Sequence, residues 1–180
     1  MWTCLQVKHQ TFNEIFLMRS CSGIGYWVLP FLVHARAEHV IACEWNPASV
    51  SALRHNLDQM KLSDRCTVLQ GDNREVCPSS VADRVNLGLI PQSEISWRTA
   101  CEALKDEGGV LHVHGNVEVG RDESKRVKLD TWAESVRCSI QTILAEVKEH
   151  EYLTQVMHVE CVKSYGPRVY HAVADIQCRL

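Results

Sequence analysis

Residues 15–47 read IFLMRSCSGIGYWVLPFLVHARAEHVIACEWNP, and the order of patterns within this stretch decides the fold. Residues 15–18 are four apolar side chains in a row, a strand or the stump of one. Gly23 and Gly25 follow two apart, and the residues after them predict a helix over 26–36. The stretch 39–45 (HVIACEW) is a β-branched apolar run of the kind that fills a buried strand. Asn46-Pro47 then opens a second helix, because Asn suits the N-cap and Pro in the first turn gives up no hydrogen bond. Strand, glycine turn, helix, strand and helix in this order imply a parallel sheet built by right-handed crossovers.

The same alternation continues outward. Val50, Leu53, Leu57 and Met60 recur at helical spacing and predict one apolar face on the second helix. A strand over 65–70 ends at Gly71-Asp72, and 73–82 is loop or short helix around Pro78. A strand over 84–90 is stopped by Pro91, which cannot donate to a central ladder. Residues 93–104 are helical, and Gly108-Gly109 turn the chain into a strand over 110–114. A charged link, 121–128, leads to a long helix striped by Trp132, Val136, Ile140, Ile143 and Val147. Two last strands, near 155–162 and 169–177, flank Ser164-Tyr165-Gly166-Pro167 and predict an antiparallel hairpin. The expected fold is a doubly wound, Rossmann-like α/β sheet, mostly parallel and closed by that hairpin.

Composition narrows the function classes. Of 180 residues, 46% are hydrophobic and 23% charged, which supports a packed core and excludes a disordered chain. No apolar run approaches the roughly 18–20 residues of a membrane-spanning helix, and residues 1–19 lack a secretory pattern. The net charge of −3 lacks the basic excess of a free-standing nucleic-acid binder. Nine cysteines contain no C-x-x-C, the usual spacing of zinc ribbons and redox dithiols, so reduced thiols in a cytosolic or nuclear protein are expected, with a cytoplasmic location preferred.

In open α/β sheets ligands bind beyond the carboxyl ends of the strands. Three loops there form an ordered set. Gly23 and Gly25 let the backbone approach a ligand closely, although Val28 stands where a full G-x-G-x-x-G would place its third glycine. Glu44, 19 residues after Gly25, suits the hydroxyls of a ribose, the alternative being a solvated carboxylate at a strand end. Asp72 and Asn73 suit the edge of an adenine, the alternative being an Asx turn. In this order they predict a pocket for an adenosine-containing cofactor, and the missing P-loop lysine disfavours a nucleoside triphosphate.

Other residues carry plainer expectations. His112 and His114 share one strand face but lack a third ligand, so packing or hydrogen bonding is expected. His158-Val159-Glu160 has the H-x-E form of zinc deaminases without the P-C-x-x-C, and no metal is expected. The run 121–128 is a solvated loop or a phosphate contact, and Cys21 is an inert thiol.

Ser22-Gly23-Ile24-Gly25-Tyr26, Ala42-Cys43-Glu44-Trp45-Asn46-Pro47, Gly71-Asp72-Asn73, the stretch 83–91 (DRVNLGLIP) and 108–114 (GGVLHVH) resemble the class I S-adenosylmethionine-dependent fold. More narrowly they resemble the tRNA wybutosine-synthesising aminocarboxypropyltransferases, relatives of the tRNA guanine-37 methyltransferases. The resemblance implies transfer of the 3-amino-3-carboxypropyl group of S-adenosyl-L-methionine to carbon-7 of 4-demethylwyosine at position 37 of phenylalanine tRNA. It implies cofactor binding by Gly23, Gly25, Glu44, Asp72 and Asn73, with no metal and no assigned general base. Methylating relatives end strand four in Asn-Leu-Pro, whereas Leu89-Ile90-Pro91 stands here, which favours the aminocarboxypropyl reaction over methyl transfer.

The family's first motif begins Asp-Leu-[Tyr/Phe]-Ala before Gly-Ile-Gly, and here those positions are Arg19, Ser20, Cys21 and Ser22. Residues 1–21 therefore read as an atypical start ahead of a catalytic core at 22–180, with the first strand and upstream region incomplete. The expected protein is an N-terminally truncated, monomeric form with weak tRNA affinity of its own. The alternative of another class is an inactive remnant or a partner-binding module.

Overall fold

The structure, a computed structural model, describes residues 15–19, 22–90 and 93–180. Its elements are β1 (Ile15–Arg19), α1 (Val28–Val33), β2 (His39–Glu44), α2 (Pro47–Gln59), β3 (Cys66–Gln70), α3 (Asn73–Val76) and β4 (Arg84–Leu87). They continue as α4 (Trp97–Ala103), β5 (Gly108–Glu118), α5 (Lys125–Val147), β6 (Leu153–Gly166) and β7 (Val169–Arg179). The strands form a seven-stranded sheet in the order β3-β2-β1-β4-β5-β7-β6. The β1, β2, β3, β4 and β5 pairings are parallel, while β7 runs antiparallel to both β5 and β6. The expected fold class and hairpin are therefore present. The first strand, expected to be incomplete, spans five residues and is bonded along both edges, Leu17 facing Ile41 on one side and Val85 on the other. The strand order turns back between β1 and β4, the switch point at which such sheets bind ligands.

Strand alternation splits the core into two layers. On one face Val40 and Ala42 of β2 pack against Val28, Phe31 and Leu32 of α1 and Leu53 and Leu57 of α2. On the other, Val85, Leu87, Leu111, Val113, Ala174 and Ile176 pack against α4 and α5 through Ala100, Val136, Ile140 and Leu144. Most residues that alternate with this second set, Arg84, Asn86, His112, His114 and Asp175, are polar, with Val110 and Val173 as the apolar exceptions. The sheet face shared with α1 and α2 is thus apolar over β2 and mostly polar over β4, β5 and β7.

Several boundaries differ from the expectations. The helix expected over 26–36 is confined to Val28–Val33, because the glycine segment is spent on turns up to Trp27 and Arg36 takes a positive φ of 55°. β4 ends at Leu87 rather than 90, so residues 88–90 are loop, and Pro91 lies outside the described residues. Met60 is 47% exposed, since α2 ends one residue before it and its side chain passes the edge of the core. On α5 the buried line is Leu129, Ala133, Val136, Ile140 and Leu144. Trp132, Ile143 and Val147 flank that line, half-buried. The helix turns so that the small Ala133 faces the sheet, and Trp132 lies over Gly115. A Cβ at Gly115 would stand 2.6 Å from the Trp132 ring, so only glycine admits that indole.

The N-terminus of α2 matches the reading of its sequence. Asn46 accepts a hydrogen bond from the Ala48 amide at 2.9 Å through Oδ1, and Pro47 follows at the first helical position. Asn46→Ala is expected to lower stability by about 1 kcal/mol, the ordinary cost of losing a side-chain cap. Urea unfolding measures it, and an unchanged midpoint would show that the cap contributes nothing here.

Candidate functional site

The site is assembled where β1, β2 and β3 end, and Glu44 is its centre. Its carboxylate accepts the Gly23 amide at 2.9 Å through Oε2 and the Asn46 amide at 2.9 Å through Oε1. Its backbone oxygen accepts the Gly71 amide at 3.1 Å. One residue, only 3% exposed, therefore ties together the three loops that the sequence placed in order. Each carboxylate oxygen retains further acceptor capacity, so hydroxyl donors can be added to the backbone amides already held. Ser22 adds a second tie, its hydroxyl donating to the Cys43 carbonyl at 3.1 Å.

Gly25 needs its lack of a side chain. Its φ is +108°, and a Cβ there would stand 3.0 Å from Leu53 Cδ1, so the loop can lie against α2 only as glycine. The Asn56 amide fastens the same loop by donating to the Ile24 carbonyl at 2.9 Å.

Asp72 caps α3, accepting the Arg74 amide at 2.9 Å, and also pairs with the Arg74 guanidinium. Asn73 is 8% exposed and its Oδ1 faces the Ser96 hydroxyl at 3.5 Å. Asp72 and Asn73 line a cleft of about 140 Å³ together with Trp45, Leu89, Ile95 and Ser96. The five residues singled out from the sequence are thus divided. Glu44 and Gly23 touch each other behind the cleft and Asp72 and Asn73 form its wall. Gly25 opens onto a separate depression of about 430 Å³ bordered by Ile24, Tyr26, Leu29 and Met60.

Three large apolar residues of the cleft were not singled out as cofactor-binding from the sequence. Trp45 is 66% exposed immediately after Glu44, and a large aromatic at the carboxyl end of a buried strand was a usable signal. Leu89 enters only the Leu89-Ile90-Pro91 comparison and otherwise reads as part of a strand that in fact ends two residues earlier. Ile95 read as one more apolar residue of a helix. A polar wall opposite exposed apolar side chains suits a planar heterocycle with a hydrogen-bonding edge.

A second polar group lies on the sheet face over β4, β5 and β7. His114 Nε2 donates to Asn86 Oδ1 at 3.0 Å, and its Nδ1 accepts from His171 Nε2 at 3.0 Å. Burial, reinforced by the neighbouring His171, pushes the His114 imidazole down to about 3, so it is neutral at physiological pH. His112 bonds separately to Asp175 at 2.7 Å. The two histidines on one strand face therefore have different partners, in keeping with the hydrogen-bonding expectation. Among the described residues Asn86 Nδ2 and His171 Nδ1 are buried without a partner.

The remaining candidates have local explanations. His158 and Glu160 pair with each other at 3.1 Å, and no trio of His, Cys, Asp or Glu among the described residues is placed to hold a metal ion. Within 121–128, Lys128 pairs with Glu123 and Arg126 with Asp130. The described cysteines stand as thiols, and burial pushes Cys66 and Cys178 up to about 12, which keeps those two protonated. Cys21 and the Arg19 side chain lie outside the described residues. Among the described residues no helix is long and apolar enough to cross a membrane.

Comparison with known proteins follows the same lines. The model of the TRM5/TYW2 methyltransferase domain matches residues 7–141. A tRNA wybutosine-synthesizing protein 2/3/4 of Arabidopsis thaliana is 52% identical over 88% of the chain, which spans only 15% of that relative's length. The crystal structure of M. jannaschii TYW2 in complex with AdoMet superposes with a TM-score of 0.78 at 26% identity, covering 93% of this chain and 69% of that one. The structure of P. horikoshii TYW2 in complex with MeSAdo superposes with a TM-score of 0.73 at 26% identity, covering 92% and 57%.

Proposed function

The chain belongs to the TRM5/TYW2 methyltransferase domain family, and from that premise we propose that it is a tRNA-modifying transferase using S-adenosyl-L-methionine as aminocarboxypropyl donor. The acceptor is carbon-7 of 4-demethylwyosine at position 37 of phenylalanine tRNA. The observation that carries this reading is Glu44 holding the glycine loop, the α2 N-terminus and the β3 loop together beside the cleft of Trp45, Asp72 and Asn73. MeSAdo in the similar P. horikoshii structure supports it, since this is what remains of the cofactor once the aminocarboxypropyl group has left.

The residues present fit such a cofactor. Glu44 would accept the ribose hydroxyls, and Asp72 and Asn73 would meet the adenine edge, with Trp45, Leu89 and Ile95 against its faces. Gly23, held against Glu44, would leave room for the amino-acid portion, whereas Gly25 shapes the loop and lines the separate depression. When bound, S-adenosylmethionine supplies three electrophilic carbons on one sulfonium, so the product depends on which carbon is aimed at the nucleophile. The new bond to carbon-7 forms as the carbon–sulfur bond breaks, the sulfur keeps the electron pair, and the carbon-7 proton is released. The chain's task is placement: a fixed loop cradle on one side and a shaped cleft on the other.

Incubation with S-adenosylmethionine and hypomodified phenylalanine tRNA tests the reading. Release of methylthioadenosine in step with tRNA is the expected result. S-adenosylhomocysteine with a methylated guanosine would replace it by methyl transfer, and neither product would leave the chain a non-catalytic form.

A further inference from the structure

Five side chains form a continuous line from the glycine loop to the tip of the β6–β7 hairpin. The Trp27 ring meets His114 edge-on, centroids 6.0 Å apart, and His114 is followed by His171 at 5.2 Å. His171 then stacks on Tyr165 at 5.8 Å with the rings 17° from parallel. Lys163 places its ammonium 4.6 Å from the Tyr165 centroid. Trp27, His114 and His171 are buried or half-buried, whereas Tyr165 is 51% exposed.

The line ends on the functional side of the molecule. β5 runs parallel to β4, and its last residue, Glu118, pairs with Val169 at the hairpin tip. The tip therefore stands at the same sheet end as the loops held by Glu44. Arg168 occupies the turn with a φ of 65°, its carbonyl fixed by the Val119 amide at 2.9 Å. Among the described residues neither Arg168 nor Lys163 has a carboxylate partner. On the other face of the hairpin Lys125 lies 4.3 Å from the Tyr170 centroid. The chain as a whole is acidic by three charges, so cations without acidic partners around the exposed Tyr165 ring and the half-buried Tyr170 ring mark this tip out.

We propose that the hairpin tip is an RNA-docking element, in which Tyr165 stacks on an unpaired base of the anticodon loop while Lys163 and Arg168 hold the adjoining phosphates. The inference rests on the tRNA reading above and adds to it the surface that receives the RNA. The chemistry matches single-stranded nucleic acid, where a π-face takes any base and nearby cations follow the backbone. A ring already braced by His171 loses little freedom on stacking, which suits a platform. The inner end of the line at Trp27 connects this platform physically to the loop beside the cofactor site.

The test is fluorescence anisotropy of the full chain with a labelled anticodon stem-loop of phenylalanine tRNA, titrated at several salt concentrations. Tyr165→Ala is expected to weaken binding roughly five- to hundredfold, the range for one stacked base, and Tyr165→Phe to bind like the parent. Lys163→Ala with Arg168→Ala is expected to reduce the salt slope by about 0.7 for each phosphate that is no longer neutralised. Calorimetry with S-adenosylmethionine should give the parental affinity for each variant, which shows that the fold and the cofactor site are intact. If the parent binds the RNA and Tyr165→Ala binds equally well, the docking surface is overturned and the transferase reading stands. If the parent binds no RNA and releases no methylthioadenosine with tRNA, both are overturned.

Discussion

Glu44→Ala is expected to abolish measurable S-adenosylmethionine binding at concentrations that saturate the parent, and to destabilise the domain at the same time. Both effects have one cause. The Gly23 and Asn46 amides each donate to this carboxylate at 2.9 Å in a setting where the residue is 3% exposed. Removing the acceptor leaves both donors without a partner, at roughly 1–3 kcal/mol per buried group. Loss of the charge-assisted bonds proposed between Glu44 and the ribose is expected to add a drop in affinity of roughly ten- to a hundredfold on its own. Glu44→Gln separates the two, because it preserves the length of the side chain and one oxygen acceptor while removing the charge. One amide keeps its acceptor while the other meets an NH2 donor, so the variant should be more stable than Glu44→Ala, less stable than the parent, and lose most of the affinity. Calorimetry and thermal unfolding measured on the same samples decide the matter. Parental affinity in a folded Glu44→Ala would confine Glu44 to holding the loops.

The second large effect is a loss of stability in acid, centred on His114. Its imidazole sits at about 3 in the folded protein, against 6.5 for a free side chain. Below pH 6.5 the unfolded chain takes up a proton that the folded chain refuses until about pH 3. Stability from this group is therefore full above pH 6.5 and falls as the pH is lowered through that window. The slope is about 1.4 kcal/mol per pH unit for one proton, so the loss reaches roughly 3 kcal/mol by pH 4. His171 is shifted in the same direction, by burial and by the charge of Lys163, and steepens the fall. Burial works to raise the Asp175 carboxyl, but the hydrogen bond and charge of His112 outweigh it, so its pKa is lowered. Asp175 accordingly adds its loss below the ordinary carboxylate range. Urea unfolding at pH 7.5, 6, 5 and 4 measures the histidine part of this loss, the Asp175 part lying at lower pH. His114→Gln, which keeps a neutral hydrogen-bonding group, should flatten the profile between pH 6 and 4 whatever its stability at pH 7.5. The same acid slope in that variant would place the effect elsewhere.

The overlap between the sequence reading and the structure is uneven for physical reasons. Element types were legible wherever one local pattern dominated: the β-branched run that became β2, the Asn46-Pro47 start of α2 and the two strands of the hairpin. Boundaries failed where a tertiary neighbour decided them. The glycine segment consumed the first residues expected of α1, and β4 left the ladder at Leu87 although the apolar run continues to residue 90. On α5 the spacing of apolar residues allowed more than one stripe, and the fit of Trp132 over Gly115 selected the rotation.

By itself the sequence determined the strand–helix alternation, and with it the doubly wound sheet. It also placed Gly23, Gly25, Glu44, Asp72 and Asn73 in the loops at its carboxyl end. These follow from local periodicity and from the order of short motifs along the chain. Only the tertiary structure decided that Glu44 faces inward and ties three loops together, that Trp45, Leu89 and Ile95 complete the cleft, and that Gly25 opens elsewhere. It alone brought Trp27, His114, His171 and Tyr165 into one line, since those residues come from a loop and from strands far apart in sequence. Contacts between such segments depend on strand order and register, which local spacing does not encode.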